Sequence, residues 1–322
     1  MSFGGRDYDR TRALIDGTVV PTGVDLNYLV MDDPDYIFRR MIDWEDFDAS
    51  ELSLSTYCAM RAYGDSRFIA IPVFPSRRFR HSYFLCNTNS RINEPADLVG
   101  KRVGLMEWDQ TAVVWMKGIL QHYYDIHLEK INWVKFRQER YAKIKPKKFK
   151  IETTSDVTST TAEDRGGEAL AAGEIDALLT ARIPEIFYKE NSNIKRLFGN
   201  YVEAEEEYYK KTKIFPIMHT VVIRAPIHDK DPWIARSLLD AFREAKKIGY
   251  KYLEGSGDRV SLAWGRYALE KQMFVMGRDP YPYNFEDNKK VIETLIQYQI
   301  EQEIVEKSTE PETLFTRNTL GA

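Results

Sequence analysis

Short apolar runs and helical stripes alternate along the first part of the chain. "GVDLNYLVM" reads as a strand, "DYIFRRMIDW" as a helix, "DASELSL" as a strand, "STYCAMRAYG" as a helix ending on Gly64, and "RFIAIPVF" as a strand. This βαβ rhythm predicts a mostly parallel sheet with helices on its faces. A second set begins at "DLVGKRVGLM" and continues through the helix "TAVVWMKGILQHYY", the strand "INWVKF" and the unit "GEALAAGEIDALLTA", enough for a second small α/β lobe. After the strand "HTVVIRA" at 219–225 the pattern is helical only: "DPWIARSLLDAFREAKKIGYKYL", "SLAWGRYALEKQMFVMG" and "NKKVIETLIQYQIEQEIV". In the first of these, Ala235, Leu238, Leu239, Phe242, Ala245, Gly249 and Tyr252 recur at helical spacing and form one core-facing stripe. Such helices need a sheet to cover, and the economical solution returns the chain to the first lobe. The expected fold class is α/β with two lobes, a central cleft and two crossover strands, near 84–90 and 217–224, as a hinge. Residues 1–86 with 222–322 make a discontinuous lobe 1, and 87–221 make lobe 2.

Length and composition fit that picture. A chain of 322 residues exceeds what single cores tend to reach, and 43% hydrophobic with 30% charged residues suits packed cores rather than disorder. The net charge of −3 gives no global attraction to nucleic acid or an anionic membrane, so anion binding must come from local clusters. The opening "MSFGGRDYDRTRALIDG" lacks the basic start, apolar stretch and small-residue site of a secretory leader, and no apolar run approaches a membrane span; a cytoplasmic location is expected. Cys58 and Cys86, the only cysteines, exclude a disulfide framework and a four-thiolate zinc site and read as buried small residues.

Familiar signatures are missing. There is no Walker loop and no G-x-G-x-x-G after a strand, and neither "FGGRD" nor "GSGD" at 255–258 sits between a strand and a helix. Nor is there a G-x-S-x-G elbow or an H-E-x-x-H motif. What remains is a set of cationic and hydrogen-bonding residues at expected strand ends. In "FPSRRFRHSYF", Arg77, Arg78 and Arg80 follow a Pro-Ser turn, and a guanidinium matches a carboxylate fork to fork. His81 is read as starting the next strand and His219 as lying on the other crossover strand, so the two are expected to converge where acid–base work is done. With Glu51 they could hold a divalent metal, although the spacing gives that no support. "FDASELSLSTY" and "EIDALLTARIPE" share a form, an Asp-Ala pair opening an apolar strand whose far end is polar, where ligands sit in open α/β sheets. The basic run "KFRQERYAKIKPKKFK" at 135–150 has no stacking pattern and is read as a solvated linker face.

The pieces "DYDRTRALIDG", "ELSLSTY", "AIPVFPSRRFRHS", "DLVGKRVGL", "GEIDALLTAR", "FGNYVEAEEEYYKKTKIFPIMHTVVIR" and "DPW" resemble the 4,5-dihydroxyphthalate decarboxylase family and are spread over nearly the whole chain. The match is looser at "MEWDQTAVVW" and absent from 129–165. The resemblance implies a type II periplasmic-binding-protein-like fold and non-oxidative decarboxylation of a hydroxylated aromatic acid by ipso protonation, with 4,5-dihydroxyphthalate giving protocatechuate and no organic cofactor. For that chemistry Arg10, Arg77, Arg80 and Arg182 are expected to hold carboxylates. Ser53, Ser55, Thr111 and Thr180 are expected to supply hydrogen bonds. His81 and His219 would move protons with Glu51 as a further candidate, and Trp108 and Trp115 would stack on the ring, with core packing the alternative for Trp115. The expected partner is a small aromatic carboxylate, with no nucleic acid and no membrane, and the apolar C-terminal helices leave room for a homo-oligomer. The rival readings are a solute-binding protein serving an ABC transporter and a chorismate dehydratase.

Overall fold

A computed structural model of the chain describes residues 1–139, 141, 144–154, 162–255 and 260–321. Of the segments singled out above, Ser256–Asp258 in "GSGD" and Arg140, Ala142 and Lys143 in the basic run lie outside the described residues. The strands are β1 (Ser2–Gly5), β2 (Asn27–Val30), β3 (Ala49–Ser53), β4 (Phe68–Ile71), β5 (Phe84–Asn87), β6 (Arg102–Leu105), β7 (Asn132–Lys135), β8 (Ile151–Thr153), β9 (Ala177–Leu179), β10 (Ile194–Arg196) and β11 (His219–Arg224). The chain forms two compact units: unit 1 is Met1–Arg77, Ile217–Glu293 and Thr309–Ala322, and unit 2 is Arg78–Pro216 and Thr294–Ser308.

The sheet of unit 1 runs β2-β1-β3-β11-β4. β1 is parallel to β2 and β3, while β11 is antiparallel to both β3 and β4. The carboxyl ends of β1, β3 and β4 therefore share one edge of the sheet with the amino end of β11. Phe3, Ala49, Ile71 and Val221 from the strands meet Ala235, Leu238, Leu239, Phe242 and Ala245 of helix Trp233–Glu254 in one apolar cluster, which realises the stripe read from the sequence. Tyr252 departs from it and is 46% exposed. Gly249 serves close approach, since a Cβ there would sit 2.7 Å from the Asp9 carbonyl oxygen. Local signals set the elements. Asp33 caps helix Pro34–Trp44 by accepting from the Asp35 N–H at 2.9 Å, Pro34 opens that helix, and β4 stops at Ile71 because Pro72 has no N–H to donate.

The sheet of unit 2 runs β10-β5-β9-β6-β7-β8. β9, β6, β7 and β8 are mutually parallel, and β5 is antiparallel to β9 and β10. Leu85, Met106, Leu170, Ile175, Leu178 and Ile194 form its core. The unit boundaries fall at 77/78 and 216/217 rather than at the expected 86/87 and 221/222, and Thr294–Ser308 joins unit 2 instead of lobe 1. Packing explains that last difference. Tyr298 fills the space above Gly118, where a Cβ would lie 2.0 Å from its ring, and meets Trp115 edge-on with centroids 5.6 Å apart. The Gln302 carbonyl accepts from Trp108 Nε1 at 2.7 Å, while Gln302 Nε2 donates to the Val114 carbonyl at 3.0 Å.

Two more expectations are corrected. His81 does not begin a strand but opens the single 3-10 turn His81–Tyr83 ahead of β5. Helix Gly265–Met276, expected to cover a sheet, has no buried residue. Among the described residues no helix is long and apolar enough to cross a membrane.

Candidate functional site

β3 is buried along its whole length yet carries Ser50, Glu51 and Ser53 among its five residues. A carboxylate in a central strand is costly unless donors surround it, and here they do. Glu51, 1% exposed, accepts from the Arg6 backbone N–H at 2.6 Å, from the Tyr8 hydroxyl at 2.9 Å and from His219 Nδ1 at 2.9 Å. The register places Val221 opposite Glu51 and His219 opposite Ser53, so Glu51 and His219 are diagonal neighbours on one face of the sheet. A carboxylate only accepts, so Nδ1 carries the hydrogen and Nε2 is left as the proton-exchanging atom. Phe38 packs edge-on against the imidazole with centroids 4.9 Å apart and fixes its plane. Burial, then the Glu51 charge, holds the Tyr8 hydroxyl well above the ordinary phenol range, so it stays a donor.

Around this pair lies a cationic and aromatic surround within unit 1. Arg10 donates from Nη1 to Asp9 at 2.6 Å and from Nη2 to the Pro75 carbonyl at 3.0 Å. Its Cζ lies 3.9 Å from the Tyr281 ring centroid and 5.5 Å from that of Tyr8. Burial disfavours its charge, but Tyr283, Tyr281 and Asp9 outweigh that and hold it above the usual arginine range. Arg77 is buried beside Phe74, at 5.6 Å, and desolvation pulls its pKa down to about 10. Lys246 donates to Asp279 and to the Tyr281 carbonyl, and Tyr250 donates to Asp279 at 2.9 Å, which holds the loop bearing Tyr281 and Tyr283. Ser53 is a helix cap, accepting from the Thr56 N–H at 3.5 Å and the Thr56 hydroxyl at 3.1 Å; Ser55 is buried in the first turn of that helix, Leu54–Ala62.

In unit 2, Arg80 is buried, donates from Nη1 to the Ala181 carbonyl at 3.1 Å and lies 5.0 Å from the Tyr83 ring. Desolvation, then Arg78, pulls its pKa down to about 9. His81 is buried among Phe198, Tyr208 and Tyr124, at 5.1, 5.4 and 6.1 Å, and among the described residues neither ring nitrogen has a hydrogen-bond partner. Desolvation pushes its pKa down to about 4, so it is neutral at neutral pH. The Thr180 hydroxyl donates to the Arg182 carbonyl at 2.6 Å, while Arg182 itself is exposed and 3.6 Å from Asp164. Thr111 is buried in the first turn of helix Thr111–Tyr123. The Trp108 ring faces Phe149, Trp133 and the Lys117 ammonium in the core rather than an open surface, and Trp115 is fully buried. Cations of the 135–150 run pair with acids: Lys135 with Glu139 at 2.6 Å, Arg137 with Glu107 at 2.8 Å and Lys148 with Glu129 at 2.5 Å.

Comparison with known proteins gives this geometry its context. No family model matches the sequence. The chain is 34% identical over 316 residues to 4,5-dihydroxyphthalate decarboxylase from Comamonas testosteroni, covering 98% of this chain and 96% of that one. It belongs to the 4,5-dihydroxyphthalate decarboxylase family. A second member of the family, from Pseudomonas putida, is 33% identical over 210 residues, covering 65% of this chain and 81% of its own. Among solved structures the chain is similar to the periplasmic aliphatic sulphonate-binding protein SsuA from Escherichia coli, with a TM-score of 0.55 at 12% identity, covering 99% of this chain and 92% of that one. The alkanesulfonate-binding protein SsuA from Xanthomonas axonopodis pv. citri gives 0.53 at 11%, covering 98% and 96%. These likenesses establish the fold of this family member as the two-lobed, type II periplasmic-binding-protein-like α/β architecture.

Of the residues expected to do chemistry, the structure joins Glu51 with His219 and assigns His81 to the other unit. It adds Tyr8, Tyr281, Tyr283, Lys246 and Asp279, which sequence reasoning missed. Tyr8 lay inside the family-like stretch "DYDRTRALIDG", and the Pro-Tyr-Pro-Tyr run after Gly277, whose φ is +84°, was the available signal for the loop. Among the described residues no three His, Cys, Asp or Glu side chains cluster to hold a metal ion.

Proposed function

We propose that this protein is a carboxy-lyase that removes CO₂ from 4,5-dihydroxyphthalate to give protocatechuate, serving the breakdown of phthalate-type aromatic acids. The observation that carries the reading is the 34% identity to a curated 4,5-dihydroxyphthalate decarboxylase along 98% of the chain. The arrangement in unit 1 suits the chemistry. Direct loss of CO₂ would leave an aryl anion, so the carbon bearing the carboxylate must gain a proton first. The hydroxyl para to it gives its proton to water and pushes charge into the ring, the ipso carbon takes a proton from an acid, and solvent afterwards returns a proton to that acid and to the product phenolate. The carbon–carboxylate bond then breaks, its electrons restore the aromatic ring, and CO₂ leaves with hydrogen in its place. His219 Nε2 is the proposed acid. Glu51 fixes the tautomer and stabilises the imidazolium, and Tyr8 with the Arg6 N–H fixes Glu51. Arg77 is the proposed carboxylate anchor, because a desolvated guanidinium gains most from an anion. Arg80 has the same character in unit 2. Arg10, with two donors engaged within the fold, is proposed to position Tyr8 and Tyr281.

The test is incubation with 4,5-dihydroxyphthalate while following CO₂ release and protocatechuate by chromatography. Turnover is expected. Tight binding with no CO₂ released would overturn the enzymatic reading in favour of capture. Full turnover by His219→Ala would overturn the proton-transfer role alone.

A further inference from the structure

Protocatechuate, the product of the reaction proposed above, still carries a carboxylate para to a hydroxyl, so the same ipso protonation could remove a second CO₂ and leave catechol. The substrate differs from it only in the carboxylate ortho to the reacting carbon. A decarboxylase that stops after one CO₂ must therefore read that second carboxylate, and a cation beside the proton donor can do so. Unit 1 has one placed for this. Arg77 and Ile217 form an isolated antiparallel bridge, with the Met218 N–H donating to the Ser76 carbonyl at 2.8 Å. Opposed residues share a face and side chains alternate along a strand, so Arg77, Ile217, His219 and, through Val221, Glu51 lie on one face of the sheet. Arg77 and His219 are thus diagonal neighbours, a spacing that long side chains span.

We propose that Arg77 holds the carboxylate that stays on the ring, ortho to the one that leaves, and so limits the reaction to one decarboxylation; this rests on the decarboxylase reading above. The fate of each charge decides which carboxylate it holds. The leaving group surrenders its negative charge as it becomes CO₂, and a buried guanidinium on it would stabilise the ground state more than the transition state and slow the reaction. The ortho carboxylate keeps its charge throughout, so binding it orients the ring without opposing bond cleavage. Arg77 is 7% exposed, and a cation with so little water around it gains more from a carboxylate than a solvated one does. Its five N–H donors lie in one plane, enough to keep a contact within the fold and grip a carboxylate through a parallel pair. The neighbouring cations are committed elsewhere: Arg10 donates to Asp9 and the Pro75 carbonyl, and Lys246 to Asp279 and the Tyr281 carbonyl.

The monomethyl ester of 4,5-dihydroxyphthalate tests this, because its free carboxylate still has a para hydroxyl and can leave if nothing reads the group beside it. Wild type is expected to release CO₂ from the ester at least about 10²-fold more slowly than from the diacid. The ester should instead inhibit competitively, its one carboxylate taking the place on Arg77. This comparison needs no variant to fold. Arg77→Gln is expected to raise KM for the diacid by about 10²-fold with a much smaller change in kcat, and to weaken inhibition by the ester in proportion, since what it removes is uniform binding. Arg77→Lys, which keeps the charge but not the fork, should restore part of the KM. Release of CO₂ from the ester at a rate comparable to the diacid, or an Arg77→Gln enzyme with unchanged KM and inhibition, would overturn the proposal and leave the decarboxylase reading intact. A wild-type protein inert toward the diacid would sink that reading and the proposal with it.

Discussion

Glu51 gathers three donors, the histidine it serves and two that hold the carboxylate in place, the Arg6 N–H and the Tyr8 hydroxyl. Glu51→Gln keeps the volume but puts an NH₂ among N–H and O–H donors, so His219 loses its fixed tautomer and the partner for its positive charge. We expect CO₂ release to fall by about 10²-fold or more, within the range that positioned acid–base groups contribute. Tyr8→Phe removes one of the three donors, and a milder fall, about tenfold, is expected with little change in KM. A Glu51→Gln enzyme within a few-fold of wild type would show that the pair is structural. His81 makes a different prediction. The unfolded chain takes up its proton near the ordinary 6.5, the folded chain only near about 4. Between those values the unfolded state binds more protons, so stability falls as pH drops from about 6.5 to about 4 and then levels, a loss of up to about 3 kcal/mol. Urea titrations across that window should show the slope in wild type and a shallower one in His81→Phe. Equal slopes would mean that the imidazole is hydrated or paired in solution.

At the scale of elements, the site depends on how closely helix Trp233–Glu254 approaches the loop after β1. The glycine at 249 lets that helix run against the backbone of Asp9 and Arg10, directly beside Tyr8. Gly249→Ala would place a methyl 2.7 Å from a carbonyl oxygen, and backbone gives way poorly. A destabilisation of about 1–3 kcal/mol is expected by thermal melting, with weaker turnover as the loop shifts. An unchanged melt with unchanged turnover would show that the loop yields freely. The helix was legible in the sequence because burial against a sheet writes a period of 3.6, and β3 and β11 were legible as short apolar runs of strand length. The Tyr8–Glu51 bond was not legible, since its partners stand 43 residues apart and no periodicity links a loop tyrosine to a strand carboxylate. Nor was the fate of Trp108: an indole after a strand looks the same in sequence whether it stacks on a ligand or, as here, donates to the carbonyl of Gln302, 194 residues on.

For the molecule as a whole, the same blindness applies to membership of the units. The helix Lys289–Glu301 carries an apolar pattern that states its period but not which sheet it serves, and the chain passes from unit 1 to unit 2 within it. Unit 2 is thus completed by a segment remote in sequence. Tyr298 sits on Gly118, Gln302 closes hydrogen bonds to Trp108 and Val114, and the Glu303 carboxylate accepts from the backbone N–H groups of Lys147 and Lys148 at 2.6 and 2.8 Å. Removing Thr294–Ser308 would uncover Trp115 and strand a buried indole N–H, each an effect of several kcal/mol by the usual cost of cavities and unpaired polar groups. A fragment spanning 78–216 is therefore expected to lack a cooperative melt, whereas the same fragment with 294–308 joined through a flexible linker should regain one, read by near-UV circular dichroism. A cooperative transition in the shorter fragment would show that unit 2 folds without its C-terminal segment.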